Sequence, residues 1–469
     1  MVSYLDDIFI WSTDDKALCE TEAFLKDWTD TLRLNPRKCK SVSLEEVAEN
    51  GFELLGTMVG AKPARVAFLR GQVAKQREKI KALAPLNHQT ALLLLRQCVS
   101  ADLRHLQRSL RTDDMKEEWD PLDLALWDEV KRIRGRPDIE GPEGIEDDCI
   151  GRNAATLPVR YGGLGLVSHA DVSPHARAAS AVTADEVIDK IFGTTSEVEE
   201  DSPSQSKRCT QMWEEQRSRL MGDVDSVRAA VLLENASVMG RQWINSIPYL
   251  YSLRLSDSAI STGIGIRTLA KHHRPTCKCG KQADLLHDEV CGKVAQAARH
   301  NHIRDIVAKF LRQRPSTDVI TEPHSSEGRR RNDIGVRGPG RTGRRDLDYE
   351  VKVYSPKSVY ASDAGLGRRR RAGDTDPVLF HRTQFNKFLA AVDKMAEADK
   401  PDSRVEFKPL VFSTGGMMGE NTTKEFDQWK KEMGIGYLRL MTAISISLLT
   451  ARTIHRNACR LLGSRDESE

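Results

Sequence analysis

The sequence lacks the features that mark membrane proteins and disulfide-rich secreted proteins. Its longest apolar run, 440–451, is shorter than the roughly 20 residues that cross a bilayer, so we expect a buried helix there and no membrane span. The nine cysteines are scattered without the pattern of a disulfide scaffold, and the acidic, strand-like start is unlike a secretory signal. We therefore expect an intracellular protein whose clustered cysteines bind metal.

The sequence also has almost no net charge, since its 71 Lys and Arg residues nearly balance its 68 Asp and Glu residues. The 469 residues are 39% hydrophobic and 30% charged, which is typical of a globular chain with about two to four domains. Positive charge is concentrated at 328–371, where 13 Lys and Arg accompany 5 Asp and Glu. A solvated loop has such a composition, but arginine runs beside carboxylates are also typical of proteins that bind a polyanion.

Two adjacent carboxylates, Asp6 and Asp7, interrupt the apolar start "SYLDDIFIWS". Charges in such a run are unfavourable unless something compensates them. At the tip of a β-hairpin the two side chains would project together, and their repulsion would be relieved by cations. Carboxylate oxygens bind Mg²⁺ (or Mn²⁺), the ions that support phosphoryl transfer. The alternative is an ordinary surface turn, in which Asp is common.

A second motif, "CKCGKQADLLHDEVC", has the spacing of a structural Zn²⁺ site. The four predicted ligands are Cys277, Cys279, His287 and Cys291. The last two, four residues apart, would lie on one face of a helix. Arg299 and His300 follow in a helical segment; they would contact phosphate, or else they are solvated basic residues of an amphipathic helix.

A third motif places Asp333 after a basic run, and Glu350 and Lys352 in an alternating strand. Period two puts Glu350 and Lys352 on one face. The two acids would bind Mg²⁺, and the lysine would position or activate a water molecule. A hairpin with ordinary surface charges is the alternative. Further acids near this motif are Asp346, Asp348 and Glu322, and the arginines expected to contact nucleic acid are Arg329, Arg330, Arg331, Arg344 and Arg345.

Composition and periodicity divide the chain into seven segments and predict an α+β fold. Residues 1–64 are rich in strands, including "LRLNPRKCKSVSL", with a helix over 16–32; 65–192 are helical, with one helix starting near Ser173-Pro174. Residues 193–210 are an acidic, Ser/Pro-rich linker. The remaining segments are a helical connector (211–275), the zinc knuckle (276–294), a small α/β domain (295–462) and a disordered tail (463–469).

The first segment resembles the palm of reverse transcriptases. The resemblance rests on "YLDD", "LRLNPRKCKSV" and "FELLGTMVG" in this order, and "ALLLLRQCVSADLRHLQRSL" and "LPVRYGGLGLVS" resemble the thumb and following region of non-LTR retrotransposon polymerases. It implies that Asp6 and Asp7 bind metal, that Lys38 lies near the triphosphate, and that Leu54–Gly56 is the primer-gripping turn. The family also uses an aspartate on an earlier strand and a fingers region, so we expect an incomplete polymerase site.

The C-terminal part resembles the restriction-like, PD-(D/E)xK endonuclease domain of early-branching non-LTR retrotransposons. The residues that carry this resemblance are the zinc motif, "RHN", "ITEP", the Asp333…Glu350-x-Lys352 hairpin and "VEFKPLVFSTGG". Asn332 stands where the family usually has proline. Lys352 stands where the family often has another residue, which brings this chain closer to the general nuclease pattern.

Together these resemblances imply a fragment of a retrotransposon RNA-directed DNA polymerase and endonuclease that acts in target-primed reverse transcription. Its partners would be target DNA and a template RNA, its location the nucleus, and its surviving chemistry Mg²⁺-dependent DNA nicking. The alternatives are a non-catalytic nucleic-acid-binding remnant and the product of a decayed element.

Overall fold

The computed structural model describes most of the chain. The described residues are 2–4, 7–9, 14–27, 42–135, 141–193, 203–271, 279–280, 285–291, 293–314, 317–323, 332–338, 346–366, 368, 376–398, 400 and 405–461. Two compact units make up the chain, Met1–Arg65 and Val66–Glu469. Helices and strands are both present, so the predicted α+β class is confirmed. No helix within the described ranges is long and apolar enough to cross a bilayer.

The first unit contains two small hairpins. Its elements are β1 (Val2–Tyr4), β2 (Asp7–Phe9), α1 (Asp15–Asp27), α2 (Leu44–Asn50), β3 (Phe52–Leu54) and β4 (Thr57–Val59). Strands β1 and β2 pair antiparallel, and so do β3 and β4. Leu55 and Gly56 join β3 to β4 with φ angles of 49° and 72°, as a tight hairpin turn requires.

Helix α2 begins at Leu44, the last residue of the segment "LRLNPRKCKSVSL" that the sequence predicted to be strand-like; residues 32–41 of that segment lie outside the described part of the chain. Ser43 begins the helix, and its Oγ accepts the N–H of Glu46 at 3.0 Å. The spacing Ser-x-x-Glu is a helix-start signal, so the helix begins where the predicted strand-like segment ends. Helix α1, Asp15–Asp27, covers the first part of the helix predicted over 16–32, and residues 28–41 lie outside the described part of the chain.

The second unit is mostly helical. Helix α3 (Lys62–Lys81) begins just before it. The helices that follow are α4 (His88–Gln97), α5 (Arg104–Ser109), α6 (Asp120–Arg134), α7 (Pro142–Thr156), α8 (His169–Phe192), α9 (Gln205–Asp223), α10 (Ser226–Ala236), α11 (Asp257–Arg267), α12 (Lys293–Leu311), α13 (Val359–Asp363), α14 (Pro377–Ala398), α15 (Glu420–Met433) and α16 (Ile435–Leu461). Helix α9 starts inside the segment predicted to be a linker, because Ser204 caps it.

Helix α8 starts five residues before the predicted Ser173-Pro174 start. Ser168 caps it, and the buried Asp123 of α6 accepts the N–H of His169 at 2.9 Å. These two groups satisfy N–H donors that a helix start leaves unpaired. Because Asp123 is distant in sequence, the earlier start depends on tertiary structure, and the proline is tolerated inside the helix.

One four-stranded sheet lies in the second unit, in the order β5 (Asp318–Thr321), β6 (Ile334–Arg337), β7 (Leu347–Tyr354), β8 (Glu406–Ser413). Strands β5, β6 and β7 pair antiparallel, and β8 runs parallel to β7. Side chains alternate along β8, so Leu410 and Phe412 pack with α12, α15 and α16 whereas Val411 packs with α14. The acids of the third motif lie on β7 and beside β6.

Candidate metal and nuclease sites

The third motif forms a pair of neighbouring acids. Ile334 pairs with Tyr349 in the β6–β7 ladder. Asp333 comes directly before Ile334 and Glu350 directly after Tyr349, so the two acids are neighbours across the hairpin. Their exposed fractions are 8% and 9%, which leaves both largely desolvated. The structure therefore brings these two residues together, as the sequence predicted.

Asp333 is held by two donors. Its Oδ2 accepts the backbone N–H of Val351 at 2.7 Å and lies 3.0 Å from Nε2 of His300 on α12. The hydrogen bond to Asp333 is the main reason that the pKa of His300 is raised, and the negative charge of Asp333 adds to it. His300 was predicted to contact phosphate; in the structure it contacts a carboxylate of the motif.

Glu350 is paired with the motif's lysine. Nζ of Lys352 donates to Oε1 of Glu350 at 2.7 Å, across the two-residue spacing that puts both on one face of β7. Burial, and then the charge of Asp333, raise the pKa of Glu350, while Lys352 opposes this shift. Two crowded carboxylates favour a cation beside them, and Lys352, together with His300 when it is protonated, supplies positive charge at this site.

The neighbouring acids have other partners. Asp348 accepts the side-chain N–H of Asn332 at 2.7 Å and forms an ion pair with Arg337 at 2.6 Å. Asn332 therefore orients an acid of β7. Glu322 forms an ion pair with Arg304 of α12. Asp346 is exposed and lies 3.7 Å from Arg337.

The predicted nucleic-acid contacts have mixed outcomes. Arg299 is 4% exposed. Burial lowers its pKa, and the negative charges of Glu289 and Glu234 partly oppose this shift. The structure thus places Arg299 inside the molecule, away from a surface that phosphate could reach. The other five predicted contacts lie outside the described residues: Arg329, Arg330, Arg331, Arg344 and Arg345.

Three of the four predicted zinc ligands come together. The ligand atoms of Cys279, His287 and Cys291 all lie within 4.8 Å of one another, and Sγ of Cys279 is 3.3 Å from Nε2 of His287. This is the only group of three or more such ligands among the residues that the structure describes. The group could hold a metal ion, and thiolate and imidazole donors suit zinc. Cys277 lies outside the described residues.

The knuckle contains a shorter helical element than predicted. His287 begins a single 3₁₀ turn, His287–Glu289, and Cys291 follows in a bend, so the expected α-helix with both ligands on one face is wrong. The turn brings the same two ligands together by folding back instead. His287 is 4% exposed, whereas Cys279 is on the surface.

The polymerase motif is described only in part. Asp7 is the first residue of β2 and pairs with Tyr4, so it lies in the ladder and not at the hairpin tip as predicted. Asp6 and Lys38 lie outside the described residues.

Comparison with known proteins adds no family assignment. No model of a known protein family matches the sequence, and no characterised protein matches it significantly. The resemblance to retrotransposon proteins is therefore a hypothesis that rests on the motifs themselves.

The contact between His300 and Asp333 was missed by reasoning from the sequence. The two residues are 33 positions apart and belong to two different motifs. Local spacing carries no signal for such a contact; only the packing of α12 against β5, β6 and β7 creates it.

Proposed function

We propose that this chain is part of a retrotransposon polyprotein, and that its C-terminal sheet carries a Mg²⁺-dependent DNA-nicking site. The observation that supports this most is the Asp333–Glu350 pair with Lys352 beside it. Target DNA and a template RNA would be its partners, and the nucleus its location. The N-terminal unit would derive from a polymerase palm.

The acid pair suits a hard divalent cation. Both donors are carboxylates, and Mg²⁺ in proteins is commonly held by one or two carboxylates together with water and phosphate oxygens. When bound, the ion would neutralise charge on the scissile phosphate. Val351 N–H and His300 hold Asp333 in place, and Lys352 orients Glu350. Lys352 would also position the attacking water.

The first test is nicking of supercoiled plasmid by the full chain in Mg²⁺. Asp333→Asn, Glu350→Gln and Lys352→Met should each slow nicking by about 10²-fold or more, the usual contribution of such groups. The exposed Asp346, mutated to Asn, is the matched control and should nick at the wild-type rate. Undiminished nicking by an Asp333→Ala/Glu350→Ala protein would exclude this site.

The second candidate is a nucleic-acid-binding module without catalysis. Two observations favour it. Asp333 Oδ2 already accepts from two donors, and among the described residues no third acid joins Asp333 and Glu350 in a group of possible metal ligands. DNA binding that persists while wild-type protein nicks in neither Mg²⁺ nor Mn²⁺ would support this candidate and contradict the nuclease.

A further inference from the structure

Four side chains of the second unit form an alternating stack of rings and guanidinium groups. Arg160 and Tyr161 belong to the short 3₁₀ turn Val159–Tyr161 that follows α7, and Trp213 and Arg217 belong to α9. The Arg160 guanidinium lies 5.9 Å from the Trp213 ring centroid and 5.0 Å from that of Tyr161. The Arg217 guanidinium lies 5.6 Å from the Tyr161 centroid. We call these four residues the arginine–aromatic stack.

A third arginine belongs to α14, the helix that packs against α9. Arg382 of α14 is exposed, and after the effect of burial its charge is the next largest cause of the lowered pKa of Arg217. Arg217 is 7% exposed, and its Nε has no hydrogen-bond partner among the described residues. Three like charges from three elements repel one another, so the arrangement favours an anion.

Two acids lie close to these arginines, and both have other partners. Glu214 accepts the Tyr161 hydroxyl at 3.1 Å. Asp376 accepts the N–H groups of Val378 and Leu379 at the start of α14. Their negative charges oppose the lowering of the pKa of Arg217, but burial and the charge of Arg382 have larger effects. Positive charge therefore remains available on the exposed Arg160 and Arg382.

We propose that the arginine–aromatic stack, with Arg382, binds the phosphates of a single nucleic-acid strand. Arginine forks match phosphate oxygens, and stacking on ring faces holds the forks in fixed planes. A polymer of phosphates is favoured over a single anion, because an arginine run, 368–371, lies in the sequence five residues before the helix that carries Arg382. The proposal rests on the proposed function, which names DNA and RNA as partners. The strand-binding site consists of residues other than the nuclease acids.

The test uses fluorescence anisotropy of the full chain with labelled DNA and RNA strands, without added Mg²⁺, over a series of salt concentrations. The variant is Arg160→Gln/Arg382→Gln. Each lost phosphate contact should lower the salt dependence of binding by about 0.7, so the double variant should lose about 1.4 from the slope. Affinity at ~0.1 M salt should fall about 10-fold or more, a loss typical of contacts of this kind. Loss with RNA alone assigns the site to a template, and loss with DNA alone to a target strand.

Arg111→Gln is the matched control, because Arg111 is an exposed arginine of the same unit that is paired with Asp113. It should bind like wild type. Arg382→Gln alone serves as a second variant if the double variant unfolds, since Arg382 lies on the surface. An unchanged slope in a folded variant, or an equal loss in Arg111→Gln, overturns the proposal. Because binding is measured without nicking, failure of the nuclease site leaves this result intact.

Discussion

His169 lies at the start of α8, fully buried and stacked on Trp119 with the ring centroids 5.1 Å apart. A ring nitrogen of His169 lies 3.1 Å from the side-chain amide of Gln107. Burial, and then the charge of Arg104, lower the pKa of His169 to about 3. At this scale the environment of one side chain decides its charge state, and the sequence shows only that a histidine is present.

The first stability prediction follows from this pKa. In the unfolded chain histidine titrates near pH ~6.5. Between that value and about 3 the unfolded state binds a proton that the folded state excludes, so the contribution of His169 is complete above pH ~6.5 and is lost as the pH falls. The free-energy difference between wild type and His169→Gln should fall by roughly 2 kcal/mol from pH ~7.5 to pH ~5 in urea unfolding.

The comparison with His169→Gln is needed because Asp123, which accepts the His169 N–H, titrates in the opposite sense. Burial raises its pKa to about 6. Its protonation therefore favours the folded state as the pH falls below that value. Subtracting the variant's curve removes this contribution. A difference that does not change with pH would show that His169 has the same pKa in the folded and the unfolded protein.

The turn after α7 shows what decides structure at the scale of an element. It contains "YGGLG", and the fully buried Arg267 of α11 donates to the carbonyl oxygens of Gly162 and Gly163 at 3.1 and 2.6 Å. A Cβ added at Gly163 would lie 2.1 Å from the carbonyl oxygen of Leu157. Glycine is required because backbone approaches backbone, and the arginine pairs carbonyl groups that would otherwise be buried without a donor.

The element-scale prediction compares two glycines. Gly163→Ala should lower the unfolding free energy by about 2 kcal/mol or more, because backbone atoms must move to relieve the overlap. Gly71→Ala is the control: Gly71 lies inside α3, nothing lies within 4 Å of an added Cβ, and alanine should stabilise the helix by about 0.5–1 kcal/mol. Urea midpoints of the two variants should thus move in opposite directions. Equal midpoints would contradict the close approach.

At the scale of the whole second unit, a buried ionic network connects three segments that the sequence treats as separate. Arg452 of α16 forms ion pairs with Glu234 of α10 at 2.8 Å and with Glu289 of the zinc knuckle at 2.6 Å. Glu289 also accepts the Ser355 hydroxyl at the end of β7, and Glu234 accepts the Gly415 N–H after β8. Buried ion pairs and hydrogen bonds therefore join the connector, the knuckle and the sheet.

Removing the central cation should destabilise this unit strongly. Arg452→Met leaves Glu234 and Glu289 buried without their cation, and breaking a buried pair in this way costs about 3–5 kcal/mol. Thermal unfolding monitored by circular dichroism should show the loss. Lys424→Met, which removes an exposed ion pair with Glu420, is the control and should leave the midpoint unchanged. A similar midpoint for Arg452→Met and wild type would disprove the role of the network.

Metal removal should destabilise more than the knuckle itself, because the ligand His287 and the network residue Glu289 lie in one turn. Metal bound only by the folded state stabilises it, so chelation should lower the melting temperature of the second unit by at least about 5 °C. Cys279→Ala should reproduce the shift, and Cys19→Ala, an exposed cysteine of the first unit, should not. Elemental analysis of the purified protein for zinc provides the independent readout. A chelator without effect on melting would contradict a structural metal.

Local pattern was sufficient to place two side chains of the third motif on one strand. Alternation predicted the strand that carries Glu350 and Lys352, and period two put these two residues on one face, where the structure has them ion-paired. Spacing also brought together Cys279, His287 and Cys291. These inferences hold because each depends on residues that are close in sequence, where backbone geometry limits the outcomes.

Tertiary structure alone decided the rest. It turned Arg299 inward, placed His300 on Asp333, started α8 at the buried Asp123, and brought Arg160 over the ring of Trp213. Each of these contacts joins residues far apart in sequence, so it exists only once helices and strands have packed. The sequence by itself therefore determined which chemical groups are available, and packing determined their neighbours, burial and charge.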